Sequence, residues 1–90
     1  MTVRRTVEII NERGLHARAS AKFVKLASDF DAEVRVTKDD STVDARSIMG
    51  LMMLAAGVGS EVEIEADGPQ AEAVIDALAG LVANRFDEER

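Results

Sequence analysis

The spacing of hydrophobic residues along this chain changes several times, and each change marks an element. Residues 2–10 alternate, with Val3, Val7 and Ile9 separated by polar side chains, as in a half-buried outer strand. Asn11-Glu12-Arg13-Gly14 follows as a turn whose glycine can take a positive φ. Over residues 17–28 the spacing becomes helical, with Ser20, Phe23, Val24 and Ala27 in one stripe and Lys22 and Lys25 elsewhere on the surface. Alternation returns over residues 32–37, with Val34 and Val36 inward. After the turn Lys38-Asp39-Asp40-Ser41, a short strand over 42–45 completes a hairpin. Residues 47–55 predict a short helix capped by Ser47 and stopped at Gly57. Residues 60–66 then alternate cleanly, with Val62, Ile64 and Ala66 on one face and Glu61, Glu63 and Glu65 on the other. Gly68-Pro69 starts a last helix, with proline in the first turn, where its missing N–H is not needed. Ala71, Val74, Ile75, Leu78, Leu81, Val82 and Phe86 carry the helical spacing to about residue 86. Gly80 weakens that helix slightly and allows close packing. The acidic end, Asp87-Glu88-Glu89-Arg90, is expected to fray.

The predicted order is β-α-β-β-α-β-α. The glutamate-lined sheet face must meet water, so the helices should cover the other face in a two-layer α+β sandwich. Ninety residues without repeat or linker fit one domain, residues 1–90, around a single core. With 47% apolar residues, no Trp or Tyr, and only Phe23, Phe30 and Phe86 as aromatics, that core must be aliphatic. The absence of cysteine excludes disulfides and thiolate metal sites. No basic segment leads into an apolar run and no apolar stretch could cross a bilayer, so the cytoplasm is the expected compartment. The net charge of −6 is uneven: residues 1–25 carry +4 and residues 26–90 carry −10. The overall sign argues against non-specific nucleic-acid binding. The basic excess around residue 16 has two explanations, solubility or a functional field.

The chain has one histidine, His16, at the junction of the turn and the first helix. A surface histidine without a role is one explanation. The other is a phosphoryl acceptor: the new helix leaves backbone N–H groups unpaired, and its dipole favours an anion. Arg18 is close enough to add a forked guanidinium. The helix N-terminus disfavours the imidazolium, so the ring is expected to stay largely neutral and nucleophilic, giving a phosphohistidine. One histidine without cysteine cannot make a zinc site, and no spaced carboxylate cluster suggests magnesium. No nucleophile elbow supports a hydrolase triad through Ser20. For Ser47, helix capping is a sufficient role; the alternative is regulatory phosphorylation, with the phosphate stabilised at the helix N-terminus. The segment after it is too apolar for one stripe. Either it is buried on two sides of the core, or, as we favour, Ile48, Met49, Leu51 and Met52 form a partly exposed docking patch.

Gly14-Leu15-His16-Ala17-Arg18, Ser47-Ile48-Met49-Gly50 and Gly68-Pro69 together resemble the HPr family, the histidine phosphocarriers of the phosphoenolpyruvate-dependent phosphotransferase system. The resemblance covers nearly the whole chain. It implies an open-faced β-sandwich with a four-stranded antiparallel sheet and three helices. It also implies that enzyme I, charged by phosphoenolpyruvate, phosphorylates Nδ1 of His16, and that the group passes to an EIIA-type acceptor in sugar uptake or in nitrogen or carbon regulation. Arg18 and the backbone N–H groups of Ala17 and Arg18 would hold the phosphoryl group. The protein would be a stoichiometric intermediate rather than a turnover enzyme, a cytoplasmic monomer with no cofactor, metal, nucleic acid or membrane partner. Ser47 resembles the serine that an HPr kinase/phosphorylase modifies in some members. One departure is Ala19-Ser20, where many members have proline then alanine, a version similar to alphaproteobacterial HPr and NPr proteins. Alanine gives a looser first turn with intact chemistry. The competing function is a non-catalytic regulatory protein that docks through residues 48–53. A domain cut from a multidomain phosphotransferase and an RNA-binding protein are weaker rivals.

Overall fold

In the computed structural model, which describes residues 2–90, the elements follow the expected order. They are β1 (Thr2–Glu8), α1 (Ala17–Ser28), β2 (Glu33–Lys38), β3 (Ser41–Asp44), α2 (Ile48–Met53), β4 (Glu61–Asp67) and α3 (Ala71–Ala83), closed by a short 3₁₀ turn, Arg85–Asp87. The four strands form one antiparallel sheet in the order β1-β4-β2-β3. β1 is an edge, as its partly polar pattern required.

The alternation in β4 decides which face is covered. Val62, Ile64 and Ala66 are buried under the helices with Val34 and Val36 of β2. On β1, Arg5 lies between Val3 and Val7 on that same side and reaches Asp76 of α3 at 2.8 Å, so its charge leaves the core at the sheet edge. α3 packs on β1 and β4, α1 on α2 and α3, and α2 on β3. Phe23, Leu51, Ile64, Ile75, Leu78 and Phe86 are among the large fully buried side chains. The open face is charged, and part of that charge is paired. Glu65 receives Arg4 Nε at 2.6 Å and Arg35 Nε at 2.7 Å, and Asp67 is bonded by Arg35 and Thr2. Register explains this, because Arg4 and Arg35 flank Glu65 on the two neighbouring strands.

Four expectations are corrected. The second helix ends at Met53, and the residue that turns left-handed after it is Ala55, at φ +52°, rather than Gly57. Gly80 has no close neighbour where a Cβ would project, so it gives no close packing. The third helix stops at Ala83, and the tail is not frayed. Phe86 is fully buried, as its spacing from Val82 required, but by chain reversal: Arg85, Phe86 and Asp87 all take positive φ, +56°, +52° and +65°. Each such residue costs about 1–2 kcal/mol. Burying the Phe86 ring offsets about 1.5–3 kcal/mol of this. Hydrogen bonds of about 1 kcal/mol each add to it: Lys22 Nζ to Phe86 O at 2.8 Å, Asn84 Nδ2 to Asp87 Oδ1 at 2.7 Å, and Glu12 N–H to Arg90 O at 2.9 Å.

Candidate active site

The site is built on the loop that joins β1 to α1. Gly14 takes φ +67°, the left-handed turn conformation expected of it. A second constraint is spatial, since a Cβ there would lie 2.6 Å from the Ala56 carbonyl oxygen and 2.8 Å from Gly57 Cα. The loop therefore rests on the chain after α2, and Leu15, buried, donates its N–H to Ala56 O at 2.9 Å.

This contact sets His16 as the N-cap of α1, in extended conformation. Its carbonyl accepts the Ser20 N–H at 2.8 Å, but its ring makes no capping hydrogen bond. The N–H groups of Ala17, Arg18 and Ala19 consequently have no carbonyl within the helix, and the first turn has no acidic side chain. Ala17 and Arg18 are exposed. Donors and dipole together favour an anion at this point. Ser20 is buried, and its hydroxyl donates to Leu15 O at 3.1 Å, tying the helix to the loop. Arg18 lines an open depression with Arg13, Lys22 and the C-terminal tail, and no carboxylate among the described residues pairs with it. Lys22, in contrast, is committed to Phe86 O and to Asp87, at 3.6 Å.

The imidazole is not free. Its Nε2 lies 2.6 Å from Oε2 of Glu88. The other oxygen of that carboxylate accepts from Asn11 Nδ2 at 3.0 Å, and the same Nδ2 donates to Gly14 O at 2.8 Å. Asn11 is fully buried, with its Oδ1 unpartnered. Burial pushes the Glu88 carboxyl up, but the hydrogen bonds from His16 and Asn11, with the charges of His16 and Arg13, outweigh it and hold the group below its ordinary range. Neither Glu88 nor Asn11 stands out in the sequence. Glu88 meets Asn11 and His16 from the opposite end of the chain, and no local pattern marks that pairing.

Ser47 lies at a different helix start. It caps α2, its hydroxyl accepting the Gly50 N–H at 2.9 Å. Six helical residues separate it from the end of α2, about 9 Å of axis, and the chain just beyond that end supports Gly14 and Leu15. Along α2, Ile48, Met49 and Met52 are exposed, Met49 by 69%, and Met53 is 77% exposed. Leu51 is 0% exposed and belongs to the core, so the expected docking patch does not include it. The inward face of so short a helix is filled by this one leucine. Among the described residues no group of three or more His, Cys, Asp or Glu could hold a metal ion, and no helix is long and apolar enough to cross a membrane.

A family model described as "PTS HPr component phosphorylation site" matches residues 3–84. The chain belongs to the HPr phosphocarrier family. It is 54% identical over 86 residues to phosphocarrier protein HPr of Cupriavidus necator, covering 96% of this chain and 97% of that protein. It is 43% identical over 90 residues to phosphocarrier protein NPr of Escherichia coli, covering 99% and 100%. HPr-C-His from Thermoanaerobacter tengcongensis has the same fold in its crystal structure, with TM-score 0.93 and 43% identity over 98% of this chain and 99% of that one. The four antiparallel strands and three helices are thus the open-faced HPr sandwich.

Proposed function

We propose that His16 accepts a phosphoryl group at Nδ1 from phosphoenolpyruvate-charged enzyme I and passes it to an EIIA-type acceptor. The phosphorus bonds to Nδ1 as its bond to the donor breaks, and that bonding pair leaves with the donor. The second transfer reverses these roles. Arg18 and the backbone N–H groups of Ala17 and Arg18 hold the phosphoryl oxygens. The observation that carries this is the N-terminus of α1: an imidazole that makes no capping hydrogen bond is followed by N–H groups with no carbonyl partner within the helix, and Arg18 pairs with no carboxylate among the described residues. No metal or cofactor takes part. The single domain works as a cytoplasmic monomer, and Ile48, Met49 and Met52 meet donor and acceptor in turn. Phosphorylation of Ser47 by an HPr kinase/phosphorylase adds charge at the start of that docking helix and so regulates it.

The test is intact mass after incubation with phosphoenolpyruvate and the cognate enzyme I, beside His16→Ala. One acid-labile phosphoryl group on the wild type alone is expected. No modification by an active enzyme I would overturn the carrier reading and favour a protein that acts by docking alone.

A further inference from the structure

We propose that Glu88 is a positioning residue for His16: its carboxylate holds the ring proton on Nε2 and leaves the Nδ1 lone pair to meet the phosphoryl donor. This rests on the phosphocarrier reading above and adds to it a residue at the far end of the chain.

The geometry assigns the proton. An ionised carboxylate can only accept, so an Nε2 at 2.6 Å from Oε2 must be the donor. In the neutral ring the bare nitrogen is then Nδ1. The placement of Glu88 is built on both sides. Before it, Phe86 is buried and locked by Lys22; after it, the carbonyl of Arg90 accepts from the Glu12 N–H. The left-handed turn over Arg85, Phe86 and Asp87 reverses the chain so that Glu88 arrives over the start of α1. Asn11 fixes the rest: its Nδ2 serves both Gly14 O and Glu88 Oε1, so one carboxylate oxygen is occupied and the other faces the ring.

The same arrangement serves both transfers without moving a proton. When phosphorus bonds to Nδ1, the ring becomes a phosphoimidazolium that still carries its proton on Nε2, and Glu88 offsets that charge. When the N–P bond breaks toward the acceptor, its pair returns to Nδ1 and the neutral ring regains its starting tautomer.

The isosteric variant Glu88→Gln separates this role from packing. Asn11 Nδ2 requires the glutamine oxygen, so the amide NH₂ faces His16 and forces Nε2 to become the acceptor and Nδ1 to take the proton. The experiment records imidazole ¹⁵N spectra of unphosphorylated wild type, Glu88→Gln and Glu88→Ala above the ring's titration. It also records their rates of phosphoryl uptake from enzyme I. The wild type is expected to hold its proton on Nε2. Glu88→Gln is expected to move it to Nδ1 and to slow uptake by on the order of tenfold or more. Glu88→Ala, with no partner for the ring, should be less impaired than Glu88→Gln. Glu88→Gln with the wild-type tautomer, or with an uptake rate above that of Glu88→Ala, overturns the proposal. The spectra decide the proton's place even if the wild type takes up no phosphoryl group, an outcome that overturns the carrier reading alone.

Discussion

Replacing Gly14 by alanine should damage this protein far more than the same change at Gly57, three residues beyond the end cap of α2. Two separate terms act at Gly14. Its φ of +67° becomes strained for any residue with a Cβ, at about 1–2 kcal/mol. The new methyl would also stand 2.6 and 2.8 Å from main-chain atoms of Ala56 and Gly57. No rotamer relieves an overlap with backbone, so the two loops must separate, a displacement that costs about 1–3 kcal/mol when a packed site is overfilled. The Leu15 N–H to Ala56 O bond spans the same gap and weakens with it. Alanine also stiffens the unfolded chain, which offsets about 0.4–1 kcal/mol of the loss. The net expectation is a destabilisation of about 2–4 kcal/mol. For a domain of this size, that lowers the melting temperature by more than about 10 °C. Gly57 has open space around the Cβ position and no positive φ, so Gly57→Ala should be neutral or stabilising by up to about 1 kcal/mol. Thermal unfolding followed by circular dichroism measures both variants. If Gly14→Ala melts within about 2 °C of wild type, or if Gly57→Ala is equally damaging, the close approach of the two loops does not hold the His16 turn in place.

Within α2, Leu51→Ala should cost about 2–5 kcal/mol in urea unfolding because it opens a cavity. Met53→Ala, largely exposed, should stay within about 0.5 kcal/mol of wild type; equal losses would mean that the helix face has been assigned wrongly. On the open sheet face, hydrogen bonds from Arg35 and then Arg4 hold the Glu65 carboxyl below its ordinary range, and Thr2 and then Arg35 do the same for Asp67. Unfolding at low pH therefore takes up protons: the stability from these pairs is full above the ordinary carboxylate range, about pH 4–4.5, and is lost as pH falls through the lowered native values. Glu65→Gln should flatten the acid limb of the stability curve, and an unaltered limb would show that the pairs do not couple to folding.

The fold was legible because its signals are local and repeat. Clean alternation over residues 60–66 separates Val62, Ile64 and Ala66 from three glutamates and so fixes the covered face. That pattern could not show that Arg4 and Arg35 sit beside Glu65, because side-by-side placement depends on strand order, β1-β4-β2-β3, rather than on any one strand. Helix stops were misplaced for a related reason. Glycine is the usual residue after a helix end, which makes Gly57 the natural stop for α2, yet Ala55, exposed between buried Leu54 and Ala56, is the residue that turns left-handed. Spacing correctly marked Phe86 as buried, but burial at the position four after Val82 does not distinguish a helix that continues from a chain that folds back.

That ambiguity at Phe86 decides how much of the candidate site the sequence can reveal. Gly14, His16, Arg18 and Ser47 each depend on the conformation of a few neighbouring residues, so motif and turn chemistry locate them. Glu88 lies 72 residues from His16 and reaches it only because α3 ends at Ala83 and Arg85, Phe86 and Asp87 turn left-handed. A helix continued to residue 86 would instead carry the tail onward along its axis, about 1.5 Å per residue, and leave the His16 ring without a partner on Nε2. A strained run of three residues without glycine persists only where its surroundings hold it. Here Phe86, Lys22, Asn84 and the Glu12–Arg90 backbone bond all hold it. The end of α3 is therefore as much a part of the candidate site as the loop that carries the histidine.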